Sequence, residues 1–472
     1  MAAGMAQLSA RMRRGDPISS RETIRMVAAL SLPSILEQAV TTAMQYIDAA
    51  MVGHLGAAAT ASIGVVSSTT WLFGGLMGGL STGFAVQIAQ YLGAKREQDA
   101  RNVLRQAMMM NLLAGLLLGG IAFALSFPLP GWLGAEPAIR ADSSGYFGIY
   151  ALTLPATMGL MQYSAILRCT GDARTPGLLN ALTCPLDVLF NFLLIYPTRT
   201  VRLGGGSATL WGAGLGVRGA ALGTSLATVL VALAMLGCLL LREGPLCIRR
   251  PGVWRFTRTC MLNLRRIGLP VAAERSALCT AQIALVRIVA GLGTVSVAAN
   301  SLAVNAEGLC YMPGYGIQAA AITLTGQAVG AGRRDMAARF ARVSTLAGTL
   351  LMSCGGILLF LFAPQLMSIF TQDAEVIALG AGVLRIEAFA EPLFGASIVA
   401  SGAMQGAGDA KAPFLIDLFS MWGVRITLAT MLVGSLGLRG VWLAMCCELC
   451  LRGVLFLVRL LRGRWLSAAA LH

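Results

Sequence analysis

The chain has 472 residues, 56% of them hydrophobic and only 12% charged, with a formal net charge of +15. An average soluble domain is about 25% charged, so a water-soluble globule of this length, which would need a charged surface, is excluded and the solvent around most of the chain must be lipid. The positive charge sits in short clusters between apolar runs, an arrangement that argues for membrane topology and against nucleic-acid binding.

In chain order, a basic segment 1–25 (Arg11, Arg13, Arg14, Arg21, Arg25) precedes twelve predicted spans. Each span is long enough to cross the hydrocarbon, which takes about 20 mostly apolar residues. They lie near 26–52, 60–90, 106–127, 144–166, 176–197, 219–241, 267–291, 297–328, 343–363, 376–404, 413–435 and 438–460. Basic residues crowd alternate loops: Lys95, Arg96, Arg101 and Arg105, then Arg168 and Arg174, then the segment 242–266, then Arg333, Arg334, Arg339 and Arg342, then Lys411, and finally Arg452, Arg459, Arg462 and Arg464. The other loops carry only Arg140, Arg199, Arg202, Arg218 and Arg439. Because basic loops stay in the cytoplasm, both termini are expected there, in a plasma membrane of the bacterial inner-membrane type. An even number of spans agrees with that placement. The first span contains Glu37 and Asp48 and is too long for the core of a cleavable signal.

Some chemistry lacks material. The eleven cysteines are scattered, and CCELC at 446–450 lies in an apolar helix without a second cysteine pair or a histidine nearby, so neither a disulfide framework nor a transition-metal site is expected. With His54 as the one internal histidine and no phosphate-cradling GxxxxGK[ST], triad chemistry and direct ATP use are not expected either.

The chain repeats itself. TGDARTP at 170–176 returns as AGDAKAP at 407–413, 237 positions later. At the same offset LSLPSILE (30–37) meets IGLPVAAE (267–274), QYLGAKR (90–96) meets QAVGAGR (327–333), and Pro155 meets Pro392. Six spans per repeat preserve orientation, so the halves are expected to be parallel repeats with a binding site between them near the midplane. The expected fold is an all-α membrane protein of twelve transmembrane helices in two six-helix lobes related by a pseudo-twofold axis along the membrane normal. The N-lobe is placed at 26–241, a linker at 242–266, the C-lobe at 267–460 and a tail at 461–472.

Ionisable groups inside a bilayer cost roughly 2.5–3.5 kcal/mol each at mid-helix, so they are expected to face a cavity or a partner. In span one Glu37, Thr41, Gln45 and Asp48 share one helix face, as Asn180, Thr183, Asp187 and Asn191 do in span five. Two such stripes facing each other would surround Asp48 with the oxygens of Asp187, Asn191 and Gln45, a setting for a sodium ion or a shared proton. In the second half, Asn300 and Glu307 lie on one face of span eight, and Glu387 and Glu391 on one face of span ten with Arg385 close by. Either pair could form a second polar site; internal pairing with Arg287, Arg385 or Arg425 is the alternative. Glu37 and its repeat partner Glu274 each follow a span-opening proline by four residues, which fits a gating or structural part. Asp417 and Glu448 receive no role. GGLMGG (74–79) and MPGYG (312–316), at matching places in the repeats, are hinges or close-packing points.

LPSILEQAVTTAMQYIDAAMVGHLG in span one, Q-x-LGA with basic residues after span two and GDARTP before span five, together with their second-half counterparts, resemble the multidrug and toxic compound extrusion (MATE) family over roughly residues 21–460. The resemblance implies efflux of small organic, cationic or amphipathic compounds in exchange for Na+ or H+, by two lobes opening alternately to either side, in a monomer with no cofactor. It implies a coupling role for Asp48, which stands where the family carries an acid. Relatives with an amino-terminal cation site carry Asn followed by Asp four residues later, whereas Asp187 precedes Asn191 here. Where some relatives hold a sodium-linked Glu in span seven, Leu278 stands. Two rivals remain: a lipid-linked precursor flippase of the same superfamily, and a membrane-embedded lipid-modifying enzyme, for which no clustered catalytic His, Asp or Cys is present.

Overall fold

The computed structural model describes residues 7–8, 10–12, 14–203 and 206–466. The outermost residues of the two expected terminal segments, and Arg13, lie outside them. Twelve long helices follow in chain order: α1 Ser20–Gly53, α2 Ala57–Gly93, α3 Glu97–Ser126, α4 Pro137–Cys169, α5 Arg174–Ile195, α6 Gly216–Leu241, α7 Arg258–Ala290, α8 Thr294–Gly330, α9 Arg334–Phe370, α10 in two pieces (Ala374–Glu387 and Glu391–Ala407), α11 Lys411–Leu436 and α12 Leu438–Arg462. Eight of them are long and apolar enough to cross a membrane on those grounds alone. The other four, α4, α7, α8 and α10, include three that carry the buried Glu274, Glu307, Glu387 and Glu391. Both described chain ends lie on one side of the helical array, called the terminal face below.

The repeat is visible in the helix bounds. Ala57–Gly93 and Thr294–Gly330 are offset by 237 at both ends. The helix starts keep this offset to within one residue until the sixth helix, where Gly216 and Leu438 are 222 apart. The difference is a two-stranded antiparallel hairpin that the helical periodicity did not announce, β1 Pro197–Leu203 and β2 Gly206–Ala213, on the face opposite the chain ends. The repeated GDA phrase closes one helix and starts the next. Gly171 and Gly408 take left-handed backbone (φ 85° and 97°), which glycine adopts without a Cβ penalty. Asp172 Oδ1 accepts from the N–H groups of Arg174 and Thr175 at 3.2 and 3.1 Å, capping α5. Its Oδ2 accepts from Arg242 at the end of α6 (2.8 Å), as Asp409 accepts from Arg459 near the end of α12 (2.5 Å).

The lobes meet along α2 on α7, α1 on α8 and α2 on α8. The first two contacts exchange under the repeat and the third maps onto itself, as a twofold axis between α2 and α8 requires. The seam is tight because it is built of glycine. A Cβ on Gly79 would stand 2.5 Å from the Ala272 nitrogen, and one on Gly316 would stand 2.6 Å from the Ile35 nitrogen; both residues and both targets are repeat partners. At the terminal face the Gln90 amide donates to the Gly406 carbonyl (3.0 Å) and the Gln327 amide to the Cys169 carbonyl (2.6 Å), again a reciprocal pair. The glycine-rich runs thus form close-packed seams; Gly74 and Gly78, with no atoms near, leave room on the other side of the same helix.

Candidate functional site

Helices α1 and α5 both run from the terminal face to the hairpin face, so neighbouring side chains keep a constant sequence offset. Asn180 Nδ2 donates to Glu37 at 2.7 Å and Asn191 Nδ2 donates to Asp48 at 2.9 Å, two pairs separated by the same 143 positions. The two polar stripes therefore zip together, one pair near each end. At the lower pair Arg168 of α4 also donates to Glu37 (2.8 Å), which places Glu37 in a neutralised, hydrogen-bonded junction of three helices.

The upper pair is different. Asn191 Nδ2 also donates to Asp187 (3.1 Å), and the Asp48 and Asp187 carboxyls lie within hydrogen-bonding reach of each other. Asp187 is 0% exposed and Asn191 1%, and the remaining oxygen of each, Oδ1, has no partner. The Thr183 hydroxyl, one turn below, is also buried without one. Groups acting on Asp48 include Asp187 and Asn191 but no arginine or lysine. With Asp187 fully buried and Asp48 partly so, two carboxyls within reach of each other repel when both are ionised and bare, and a proton or a cation between them relieves that repulsion. Gln45, expected to join this group, is exposed and stands outside the bonded cluster.

Two positions that periodicity does not single out shape the site. A Cβ on Gly223 of α6 would fall 2.1 Å from Asn191 Oδ1, so the amide sits where only glycine leaves space. Tyr146 of α4 lies within electrostatic range of both aspartates.

The C-lobe holds more charge and most of it is paired. Arg425 binds Glu448 (Nη2–Oε2 2.7 Å), and Arg452 lies 3.0 Å from Glu448 and 3.7 Å from Asp417. This gives a place to both acids that the sequence left without one. Arg425 reaches its partner from a π-helical stretch, Phe419–Ile426, within α11; the wider turn re-aims side chains there. Glu274 accepts from Gln405 (3.3 Å) and borders a cavity of about 30 Å³, room for one water, with Arg275, Tyr315, Asp417 and Arg452. Asn300 accepts from the Trp442 indole (2.9 Å) instead of joining Glu307. Arg385 stacks on Phe360 and so does not pair with the glutamates beside it in sequence.

Glu387 and Glu391 flank the break in α10, both are 0% exposed, and all four of their oxygens lack a partner. Glu307 of α8 lies within electrostatic range of both. Of the four residues expected in a second polar site, three are together. Among the described residues no group of three or more His, Cys, Asp or Glu is placed to hold a metal ion.

Two parallel six-helix lobes, a glycine seam between them and carboxyls buried at mid-helix define a polytopic membrane transporter. The MatE family model matches residues 33–193 and 270–431, one match per lobe, and the chain belongs to that family. It is 26% identical to the probable multidrug resistance protein NorM of Thermotoga maritima, over 94% of this chain and 93% of that one. It is also 26% identical to the multidrug resistance protein PmpM of Pseudomonas aeruginosa, covering 94% and 92%. A crystal structure of a MATE transporter in complex with MaL6 superposes with a TM-score of 0.87 at 22% identity, over 97% of this chain and 98% of the other. A second, titled as the outward-facing conformation of a multidrug resistance MATE family transporter, gives 0.86 at 22% identity, over 94% and 97%. These are twelve-helix, two-lobe folds, and the protein is a transporter rather than an enzyme.

Proposed function

We propose that the protein exports small organic, cationic or amphipathic compounds across a bacterial-type inner membrane, exchanging them for Na+ or H+ as the lobes open alternately to either side. The observation that carries this reading is the Asp48–Asp187 contact, held by Asn191 and without a basic neighbour. A cation that binds between these carboxyls fastens α1 to α5; its departure leaves them to take up protons or separate. That gives the ion a different affinity for two arrangements of one lobe, which is the requirement for coupling. One charge moving down the membrane potential supplies about 2.3 kcal/mol per 100 mV, enough to sustain a substrate gradient of roughly 40-fold at about 1.4 kcal/mol per tenfold.

Glu307, Glu387 and Glu391 form the second polar site in this reading. The unpaired oxygens of Glu387 and Glu391 suit a cationic substrate or a second ion. The excess of basic residues puts the terminal face in the cytoplasm, and the chain acts as a monomer. The test is substrate efflux from proteoliposomes with sodium and pH gradients imposed one at a time. Efflux driven by one of them supports coupling; equal efflux with neither rejects it.

A further inference from the structure

Each lobe's first helix is preceded by a segment that packs on the other lobe. Before α7, the linker lies on α3 of the N-lobe. Arg101 donates to the Pro245 carbonyl (3.2 Å), Arg105 to those of Ile248 (3.1 Å) and Arg250 (2.5 Å), and Gln98 to that of Pro251 (3.1 Å). In return Asn102 and Gln106 accept from the Val253 and Thr257 N–H groups (3.3 and 2.8 Å). Before α1, the described residues among 7–19 do the mirror operation on α9 of the C-lobe. Arg339 donates to the Ile18 carbonyl (2.7 Å) and to the Ser20 hydroxyl (2.5 Å), and Arg333 to the Asp16 carbonyl (3.3 Å). Leu8, Met12 and Ile18 are buried in one cluster with Phe340 of α9, Met404 of α10 and Trp465. Arg339 and Asn102 are repeat partners, so the two crossings are equivalent under the pseudo-twofold axis.

The crossings continue into the helices. Met26, Val27 and Leu30 of α1 belong to the cluster built on α8–α10, and Cys260 and Leu264 of α7 belong to the one built on α2–α4. Parting the lobes at the terminal face must pull these first turns off the opposite lobe. The two arms are not equally fastened. The linker is gripped by five side chains of α3 through seven hydrogen bonds and by Arg105 stacking on Trp254. The segment before α1 is gripped by two arginines and three apolar side chains, and its stretch Asp16–Ser19 is non-helical.

We propose that the described residues before α1 (7–8, 10–12 and 14–19) are a latch: an arm of the N-lobe clasped by Arg333, Arg339 and the C-lobe core, whose release sets how readily the terminal face opens. The arm is the weaker of two symmetric clasps and therefore the one that yields. The inference rests on the alternating reading only for its consequence in transport, because the clasp itself is a contact between lobes that needs neither ion nor substrate.

Cys169 is the probe the molecule supplies. It is 1% exposed, it ends α4 at the terminal face, and its carbonyl accepts the cross-lobe bond from Gln327. Cys310, in the middle of α8, serves as the reference. The purified full chain and the variants Arg339→Ala, Arg339→Lys and Met12→Ser are alkylated with N-ethylmaleimide and followed at each cysteine by peptide mass spectrometry. In Arg339→Ala and Met12→Ser the Cys169 rate rises about tenfold, equivalent to about 1.4 kcal/mol of shifted opening, while the Cys310 rate stays within error in both and the thermal midpoint does so in Arg339→Ala. Arg339→Lys, which keeps a donor, lies between. An unchanged Cys169 rate in Arg339→Ala overturns the latch, and so does a rise shared equally by Cys310, which would mean general loosening. Should Met12→Ser not fold, the half-exposed Arg339 position alone decides. If no ion gradient drives efflux, the coupling reading fails and the alkylation result stands apart from it.

Discussion

The two lobes share a backbone plan, but the acid cluster between α1 and α5 and the one between α11 and α12 are built in opposite ways. In the N-lobe Asp48 and Asp187 face each other with a single amide between them and no arginine at hand. In the C-lobe Glu448 and Asp417 are held by Arg425 and Arg452. A buried carboxylate is tolerated when its counter-charge is built into the protein, and it then becomes a fixed part of the fold. Where the counter-charge is missing it must come from outside, and the site becomes sensitive to ions. On that physical ground the coupling part in the proposal above falls to Asp48 and Asp187 rather than to Glu448 and Asp417, whose arginines make them part of the scaffold.

The contrast makes graded predictions. Glu448→Gln leaves the buried Arg425 without its carboxylate and Arg452 with only the more distant Asp417, and should cost about 3–5 kcal/mol of stability, seen as a lowered thermal midpoint in detergent. Asp187→Asn removes a charge the fold does not need; the thermal midpoint should stay within error while ion-driven efflux falls by roughly fivefold or more, the scale of a coupling free energy. If the two phenotypes were exchanged, the assignment of lobes would be reversed. Gly223→Ala pushes Asn191 off the aspartates and should weaken efflux less than Asp187→Asn does, with the loss read as a raised ion concentration for half-maximal rate.

Smaller effects test the symmetric parts. Asp172→Ala removes the cap of α5 and the partner of Arg242, worth about 1 kcal/mol. Burial raises the Asp172 carboxyl, but the bonds from the Thr175 N–H and hydroxyl and from Arg242 outweigh it and hold the group below its ordinary range. Its contribution is therefore complete above the usual carboxylate pKa of about 3.9 and is lost as pH falls through the depressed value. The thermal midpoint of Asp172→Ala should accordingly converge on that of the parent at acid pH. Gly332→Ala should cost about 1 kcal/mol from left-handed backbone alone, since φ is 72° and no atom lies within 4 Å. Its repeat partner Lys95 already carries a side chain in the same conformation, at φ 59°, which bounds the cost.

Much of this was readable in the sequence because a parallel repeat and helical periodicity are both local rules. The offset of 237 paired the helices, and the two polar stripes put Asp187 and Asn191 beside Asp48; that Glu37 would meet Asn180 was not anticipated. Contacts between elements distant in sequence carry no such signature. Arg425 and Glu448 are 23 residues apart on different helices, and only the i,i+4 spacing of Glu448 and Arg452 hinted at the triad. The hairpin escaped because it occupies a polar connection where helical periodicity is silent. Gly223 shows no mark of its role, since its importance lies in the atoms it lacks.

The central claim is that an external cation supplies the charge missing beside Asp48. The most direct measurement is efflux of a fluorescent organic cation from proteoliposomes containing either the parent or Asp48→Asn, under whichever of the two gradients drives the parent, with folding verified by the thermal midpoint. The account predicts that Asp48→Asn keeps its midpoint and loses gradient-driven efflux. Parental efflux by the folded variant would contradict it.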